Sequence, residues 1–272
     1  MPELPEVETT LRGIEPYIDG ARLLKIEVRN DKLRWPVPTA ALRTLHGQKV
    51  SFIRRRAKYI LIGFDQSELI LHLGMSGSLR VLQEFCEPQK HDHIDLCFDN
   101  GTIVRFNDPR RFGCLLFNQD FNTAHDLIAH LGPEPLHPEF CGDYLFDLSR
   151  KRSQAVKNFI MDGKIVVGVG NIYASESLYM AGIRPTMSAG RLSRVRYHQL
   201  AEAIKFVLEK AIQAGGTTLN DFAQTDGKPG YFSQELQVYG RSGQACIQCG
   251  ADIKSKVIGQ RNTFFCTVCQ SF

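Results

Sequence analysis

Residues 131–140, LGPEPLHPEF, contain the three prolines Pro133, Pro135 and Pro138. Proline lacks a backbone N–H and its ring clashes with the preceding helical turn, so this run interrupts any helix or strand that reaches it. The chain has 272 residues, which exceeds the roughly 100–200 residues of a typical domain. We therefore expect two domains and predict the hinge between them at residues 132–150.

Upstream of this hinge the sequence is rich in short β-type runs. They cover residues 22–29, 49–54, 58–64, 69–73, 78–82, 93–98, 102–106 and 113–117. An Asn-Gly pair between the sixth and seventh runs predicts a tight hairpin. In front of the runs, apolar residues recur every three or four positions from Leu4 to Ile14, which predicts an amphipathic helix over residues 3–15. The pattern predicts an antiparallel β-sandwich with a flanking helix, in a domain covering residues 1–131.

Downstream of the hinge the apolar periodicity becomes helical. Helices are predicted over residues 155–161, 172–181 and 193–214. Residues 215–240 show little periodicity beyond a short possible helix at 219–223, and a long irregular segment of this kind is typical of a binding loop or lid. We predict a mostly helical domain over residues 151–244. The two parts together give an α+β multidomain fold.

The last part of the chain carries two C-x2-C pairs separated by 16 residues. The four cysteines are Cys246, Cys249, Cys266 and Cys269. This spacing is typical of a four-thiolate Zn(II) site, since each pair presents two sulfurs from one tight turn. Two disulfides or free thiols are the alternative, which a cytosolic chain disfavours. We predict a zinc finger over residues 245–272.

Between the cysteine pairs the sequence predicts a hairpin that turns at residues 259–262 and carries Arg261 at its tip. A guanidinium there suits a phosphate, although a solvated arginine fits equally well. The remaining cysteines lack metal-ligand spacing, and we assign them no chemistry. They are Cys86, Cys97, Cys114 and Cys141.

Composition is that of an ordinary folded protein, with 43% hydrophobic and 23% charged residues. The start lacks the basic and apolar regions of a secretory signal, and no apolar run approaches the roughly 20 residues that span a bilayer. We expect a cytosolic protein. A net charge of +4 is mildly basic, and clusters such as RRRAK and DPRRFG suit an acidic partner, with solvated surface as the alternative.

In the stretch KIVVGVGNIYAS an apolar run is followed by Gly168 and Gly170, as at the start of a dinucleotide-binding fingerprint. The third glycine of a dinucleotide fingerprint would fall at Tyr173, so that interpretation fails. Asn171 is predicted as the N-cap of the following helix, where backbone N–H groups either face an anion or only complete the cap.

The chain begins MPELPEVE. Processing commonly removes a methionine that precedes a small residue, which would leave Pro2 as the N-terminus. An α-amino group has a pKa of about 7.7–8.0 against about 10.4 for lysine, so more of it is nucleophilic at neutral pH. Attack on a sugar C1′ would give a cationic iminium, with Glu3 as an acid toward the ring oxygen and Glu6 one turn further along. The alternative is that Pro2 is the first helical residue and that the glutamates complement the helix dipole.

Motifs along nearly the whole chain resemble one family. They are PELPEVETT, RRRAKY, LHLGMSG, DPRRFG, GVGNIYASE, GGTTL, DGKPGYF and the cysteine pairs. In this order they resemble formamidopyrimidine-DNA glycosylase, the bacterial repair enzyme for oxidised purines, more than its pyrimidine-directed relative endonuclease VIII. The resemblance implies a β-sandwich domain joined to a helix-two-turn-helix domain and a zinc finger, with DNA bound between them. It further implies a cytoplasmic, nucleoid-associated monomer with one structural Zn(II) ion.

The resemblance also implies catalytic roles. Pro2 forms a Schiff base with the sugar, Glu3 donates a proton, Lys58 assists β-elimination and Arg261 assists δ-elimination. The substrate is double-stranded DNA that contains 8-oxoguanine or a formamidopyrimidine opposite cytosine. The products are a free base and a gapped strand.

Other positions match DNA contacts of that family. Met75, Arg110 and Phe112 fill the void left by the extruded base. Side chains that contact DNA, mainly its phosphates, are His72, His91, Arg152, Asn171 and Tyr239. Judged without the family, Met75, Phe112 and His72 are better explained as core residues and Tyr239 as a packed aromatic. Lys58, His91 and Arg152 are then better explained as solvated side chains. The loop from Thr217 to about Gly230 matches the segment that closes over the flipped base.

Two other functions remain open at this point. A non-catalytic zinc-ribbon DNA-binding protein would explain the basic clusters and the cysteines, but not the Met-Pro-Glu start. A glycosylase for oxidised pyrimidines is disfavoured by the PELPEVE start and by the long GGTTL to GYF segment, on family resemblance alone.

Overall fold

The computed structural model describes residues 2–217 and 235–271. The chain divides into two compact units. The β unit consists of Met1–Ala129 with Ala214–Tyr231, and the helical unit consists of His130–Gln213 with Phe232–Phe272. The short helix predicted at 219–223 and nearly all of the predicted closing loop lie outside the described residues.

Among its described residues, the β unit contains eight strands in two antiparallel sheets. They are β1 (Leu23–Val28), β2 (Phe52–Arg56), β3 (Tyr59–Gly63), β4 (Glu68–His72), β5 (Ser78–Leu82), β6 (Asp92–Phe98), β7 (Ile103–Asn107) and β8 (Cys114–Asn118). One sheet has the order β1-β6-β7-β5 and the other β2-β3-β4-β8. Each predicted β run overlaps one of these strands, and the antiparallel sandwich is confirmed.

Helix α1, Leu4–Ile18, flanks the sandwich. Its apolar stripe is buried in the same cluster as inward-facing side chains of both sheets, including Ile60 and Val104. Each large aliphatic side chain buried in this way stabilises the fold by about 1.5–3 kcal/mol. The helix extends beyond the predicted end because Ile18 adds another buried turn to the stripe. The one-turn helices α2 (Thr39–Leu42) and α3 (Asp126–Ala129) also belong to this unit.

The helical unit is built on four helices among its described residues. They are α4 (Gly142–Ser149), α5 (Val156–Met161), α6 (Asn171–Met180) and α7 (Arg194–Gln213). The last three confirm the predicted helices to within one residue at each end. Across the described part of the chain, no helix combines the length and the apolar character that a membrane crossing requires.

Helix α4 lies inside the range predicted as a hinge. The prolines end at Pro138, and the chain after them buries Leu145 and packs α4 against α7. The packing is close because a Cβ on Gly142 would lie 2.4 Å from the Cα of His198. Sequence reasoning missed this helix because its 8 residues are too short for a clear period.

The C-terminal segment is an antiparallel hairpin of β9 (Ile253–Ile258) and β10 (Arg261–Cys266). Gly259 and Gln260 form its two-residue turn, with φ values of 55° and 62°. Positive φ at both central residues is the geometry that suits the right-handed twist of a hairpin. The predicted hairpin between the cysteine pairs is confirmed, with Arg261 as the first residue after the turn.

Candidate functional site

The predicted site residues fall on both units. The β unit carries Pro2, Glu3, Lys58, His72, Met75, His91, Arg110 and Phe112. The helical unit carries Arg152, Asn171, Tyr239, Arg261 and the four cysteines of the C-terminal pairs.

Pro2 lies outside helix α1, because Glu3 is its N-cap and Leu4 its first residue. The alternative that Pro2 is the first helical residue is therefore wrong. Glu6 fixes this start: its Oε2 accepts the backbone N–H of Glu3 at 2.8 Å, and its Oε1 accepts the backbone N–H of Thr217 at 2.8 Å. Glu3 and Glu6 are both buried, each with 2% of its surface exposed. The Glu6 carboxylate thus connects the backbone at the start of the chain to the backbone at Thr217.

Lys58 lies in the two-residue turn between β2 and β3, where Ala57 adopts φ of 56°. Arg55 ties this turn to helix α1, since its Nε donates to Glu8 Oε2 at 2.8 Å and its Nη1 donates to the Ala57 carbonyl at 3.0 Å. The sequence showed only a basic cluster here, and nothing in it distinguished the bracing arginine from its neighbours. The brace fixes the Lys58 turn relative to the helix that begins at Glu3.

His72 is a neutral hydrogen-bond donor. Its Nδ1 accepts the backbone N–H of Gly74 at 2.9 Å, which leaves the ring proton on Nε2. Burial and, to a smaller extent, the charges of Lys58 and Arg34 together lower the pKa of His72 to about 4. The side chain can therefore donate to an anionic group at neutral pH without carrying a charge of its own.

Met75, Arg110 and Phe112 lie on two loops that we call the paired loops, residues 73–77 and 108–113. Their backbones touch, because a Cβ on Gly74 would lie 2.3 Å from the nitrogen of Gly113. The Arg110 guanidinium lies over the Phe112 ring at 4.9 Å, and Phe112 is 44% exposed. The alternative that Phe112 is a core residue is wrong, and the structure brings the three side chains onto one pair of loops.

Asn171 is the centre of a polar cluster in the helical unit. Gly170 is the N-cap of α6, so the prediction of Asn171 as the cap is wrong. Its side chain instead accepts from Lys157 Nζ, donates to the Asn262 carbonyl at 3.0 Å and lies 3.5 Å from the Tyr239 hydroxyl. Two predicted DNA contacts, Asn171 and Tyr239, are thus adjacent.

Sequence reasoning missed Lys157 and Glu176. Lys157 is fully buried and also donates to Thr263 Oγ1 at 2.5 Å, which links α5 to the hairpin that carries Arg261. Glu176 accepts the backbone N–H groups of residues 237, 238 and 239 at 2.8–3.0 Å. Burial raises the pKa of the Glu176 carboxyl, and these three N–H groups oppose that shift. Both side chains position the cluster.

Arg261 and Arg152 are both exposed. Arg261 begins β10 beside the hairpin turn, and Arg152 lies between α4 and α5. The backbone of Arg152 is fixed, because its carbonyl accepts the N–H of Gly190 at 2.8 Å and the hydroxyl of Ser188 at 3.0 Å. Exposed guanidinium groups on a fixed backbone suit phosphate contacts.

The four C-terminal cysteines converge, with their sulfurs all within 4.8 Å of one another. Tetrahedral Zn(II) with Zn–S bonds of about 2.3 Å has sulfurs about 3.8 Å apart. The Cys246–Cys269 and Cys249–Cys266 sulfur pairs are separated by 3.8 and 3.5 Å, far more than the roughly 2.05 Å of a disulfide. The disulfide alternative is wrong, and the donor set fits one structural zinc ion. The Tyr179 hydroxyl lies 3.1 Å from Cys246 Sγ, a contact that orients this ligand.

Models of known protein families match most of the chain. The model of the formamidopyrimidine-DNA glycosylase N-terminal domain matches residues 1–115, and that of the H2TH domain of the same enzyme matches residues 131–223. The model of a zinc finger found in FPG and IleRS matches residues 243–271.

Individual relatives match over almost their full length. A formamidopyrimidine-DNA glycosylase of Xanthomonas campestris pv. campestris (strain B100) is 57% identical over 271 residues, covering 99% of this chain and 100% of that protein. One from Alcanivorax borkumensis is 57% identical over 270 residues, with the same coverage.

Solved structures agree with these sequences. The crystal structure of the MutM (Fpg) protein of Thermus thermophilus matches with a TM-score of 0.89 and 36% identity over 99% of both chains. A complex of Lactococcus lactis Fpg with DNA containing an abasic site matches with a TM-score of 0.90 and 33% identity, covering 99% of this chain and 100% of that one. Likeness of this degree over both units and the finger shows that the chain belongs to the formamidopyrimidine-DNA glycosylase family.

Proposed function

We propose that this protein is a DNA glycosylase and AP lyase of base-excision repair that removes 8-oxoguanine and formamidopyrimidines from double-stranded DNA. One observation supports this most: Pro2 precedes the helix and stands beside the buried Glu3, as an amine nucleophile with a neighbouring acid requires. Relatives named for this activity support the glycosylase, and solved relatives bind Fapy-dG DNA and abasic DNA. The protein works as a monomer in the bacterial cytoplasm, on the nucleoid.

The first chemical step is attack by the Pro2 nitrogen, freed by removal of Met1, on C1′ of the damaged nucleotide. Glu3 protonates the ring oxygen during this attack, so that the bond from C1′ to that oxygen breaks and the sugar opens before the base departs. The base then leaves with the electrons of its bond to C1′ and with the proton of the Pro2 nitrogen, and a cationic iminium joins Pro2 to C1′. The base must first leave the helical stack, because the duplex hides C1′.

Strand cleavage follows from the charge of the iminium. The iminium withdraws electrons and acidifies the proton at C2′, whose removal expels the 3′ phosphate as β-elimination. A second elimination expels the 5′ phosphate and leaves a gap. Lys58 assists the first elimination and Arg261 the second.

The remaining predicted residues hold the DNA. Phosphate contacts fix position without reading sequence, and His72, His91, Arg152, Asn171 and Tyr239 serve this purpose. His72 suits it as a neutral Nε2–H donor, and Asn171 and Tyr239 as neighbours in one braced cluster. On the paired loops Met75 and Phe112 replace the extruded base in the stack, while Arg110 bonds the cytosine left without a partner.

Borohydride trapping tests this function. Parallel duplexes carry 8-oxoguanine or thymine glycol, and peptide mass mapping locates any adduct. We expect a reduced adduct at Pro2, formed faster with the oxidised purine. The pyrimidine arm is included because one solved complex of the Lactococcus lactis relative contains an oxidised pyrimidine. Preference for thymine glycol would reassign the substrate, and tight binding without any adduct would indicate a non-catalytic DNA reader.

Replacing one zinc ligand tests the finger. In Cys249→Ser a hydroxyl replaces one thiolate of the zinc tetrahedron, and we expect the protein to lose its zinc. We also expect the Kd for DNA to rise by about tenfold or more, which corresponds to at least about 1.4 kcal/mol of binding free energy. The reason is that the hairpin carrying Arg261 depends on the metal for its position. Zinc is measured by mass spectrometry and affinity by fluorescence anisotropy. Cys86→Ser, at an exposed cysteine outside the cluster, is the matched control. Unchanged zinc and affinity in Cys249→Ser would contradict the assignment.

A further inference from the structure

Asp108 is a fully buried carboxylate at the start of the second paired loop, with 0% of its surface exposed. Its Oδ1 accepts the Ser76 hydroxyl at 2.9 Å and the backbone N–H of Arg110 at 3.3 Å. Its Oδ2 accepts the backbone N–H of Gly113 at 2.8 Å. A buried carboxylate needs such donors, and the two loops supply all three of these.

These three bonds connect Asp108 to Arg110 and to the chain neighbours of Met75 and Phe112. Ser76 follows Met75 in the first loop, and Gly113 follows Phe112 in the second. The third bond goes to the backbone of Arg110 itself. One carboxylate therefore spans both loops, and its loss would release Met75, Arg110 and Phe112 together.

The second loop contains a residue whose backbone conformation requires a restraint. Arg111, between the two exposed side chains, adopts φ of 56°, a left-handed conformation that a non-glycine residue rarely takes. Its N–H donates to the Asp108 carbonyl at 3.2 Å, which closes the turn. The hydrogen bonds to Asp108 hold the loop in this conformation against the local preference of arginine.

Asp108 is itself anchored by hydrogen bonds of its own backbone to strand β6 and to His91, the residue that precedes this strand. Its N–H donates to the His91 carbonyl at 3.0 Å, and its carbonyl accepts the Nε2–H of His93 at 2.8 Å. His93 is buried. The carboxylate therefore transmits the position of a rigid strand to the paired loops.

We propose that Asp108 is a positioning residue that holds Met75, Arg110 and Phe112 in one geometry and thereby sets discrimination of the base opposite the lesion. This inference rests on the proposed function, because it assumes that Arg110 bonds the cytosine left without a partner. Hydrogen bonds from Arg110 to cytosine are strong only when the guanidinium N–H groups point at their acceptors. A displacement of about 1 Å at such a contact lowers the reaction rate by up to about a hundredfold.

The test uses Asp108→Asn and Ser76→Ala in the full-length protein. Asparagine keeps one acceptor but turns an N–H₂ group toward a backbone donor, so at least one bond across the loops is lost. Ser76→Ala removes the single bond to the first loop and leaves the carboxylate in place. Asp65→Asn, at an exposed aspartate of the same unit, is the matched control.

The measurement is kcat/KM on duplexes with 8-oxoguanine opposite cytosine and opposite adenine. We expect the cytosine-to-adenine ratio to fall about tenfold in Asp108→Asn and in the same direction but less in Ser76→Ala. Cleavage of a single-stranded oligonucleotide with a preformed abasic site, which has no opposite base, should stay unchanged. That readout separates lost positioning from a damaged fold.

Arg110→Ala, measured in parallel, distinguishes the possible failures. If the ratio falls in Arg110→Ala and stays unchanged in both other variants, Asp108 does not position the loops and the proposed function stands. If Asp108→Asn does not fold, an unchanged ratio in Ser76→Ala overturns the inference by itself. A ratio unchanged in Arg110→Ala overturns it as well, and a wild-type protein inactive on 8-oxoguanine refutes the proposed function.

Discussion

Protein that retains Met1 is expected to cleave damaged DNA at least about a thousandfold more slowly than processed protein and to form no borohydride-trapped adduct. With Met1 in place the Pro2 nitrogen is a tertiary amide, whose lone pair is delocalised into the carbonyl and cannot attack C1′. With Met1 removed the same nitrogen is a secondary amine, and more of it is unprotonated at neutral pH than of any unperturbed lysine.

Expression with the methionine aminopeptidase inhibited gives the retained form without any change of sequence. Digestion of that same preparation with the purified peptidase then provides the control, since it restores the amine and should restore both cleavage and trapping. Intact mass before and after digestion reports the fraction processed. Normal cleavage by protein whose mass shows Met1 in place would eliminate Pro2 as the nucleophile.

The strands of the β unit and the cysteine cluster could be predicted from the sequence pattern, whereas helix α4 could not. Apart from β2, which ends in three arginines, each strand of the β unit alternates or runs apolar over several residues, and hydrophobic burial decides such patterns locally. The four cysteines were equally clear, because metal ligation fixes both residue type and spacing. Helix α4 was missed, because its stability comes from packing on α7 and not from a period of its own.

The polar residues that position the site were not predictable in this way. Asp108, Lys157 and Glu176 are buried charged side chains, and in a sequence they look the same as solvated ones. What distinguishes them is their hydrogen-bond partners, which come from segments distant in the sequence. Lys157, for example, donates a hydrogen bond to Thr263. Asn171 was predicted as a cap from local preference alone, and its tertiary partners took precedence.

Glu3→Gln is expected to slow base release by about 10²–10⁴-fold, the usual contribution of a positioned general acid. Glutamine has the shape of glutamate but cannot protonate the ring oxygen. The bond from the Glu3 backbone N–H to Glu6 Oε2 does not involve the changed side chain, so the N-terminal segment should keep its position. Single-turnover release of 8-oxoguanine measures the effect. Glu15→Gln, further along α1, is the matched control.

A second substrate identifies the step in which Glu3 acts. A duplex with a preformed abasic site has already lost its base, so its cleavage needs the Pro2 amine but not base release. We expect Glu3→Gln to retain far more activity on this duplex than on the lesion. An equal loss on both substrates would place Glu3 in formation of the Schiff base or in the eliminations that follow it. Full activity on both would remove Glu3 from the chemistry and leave it as the N-cap of α1.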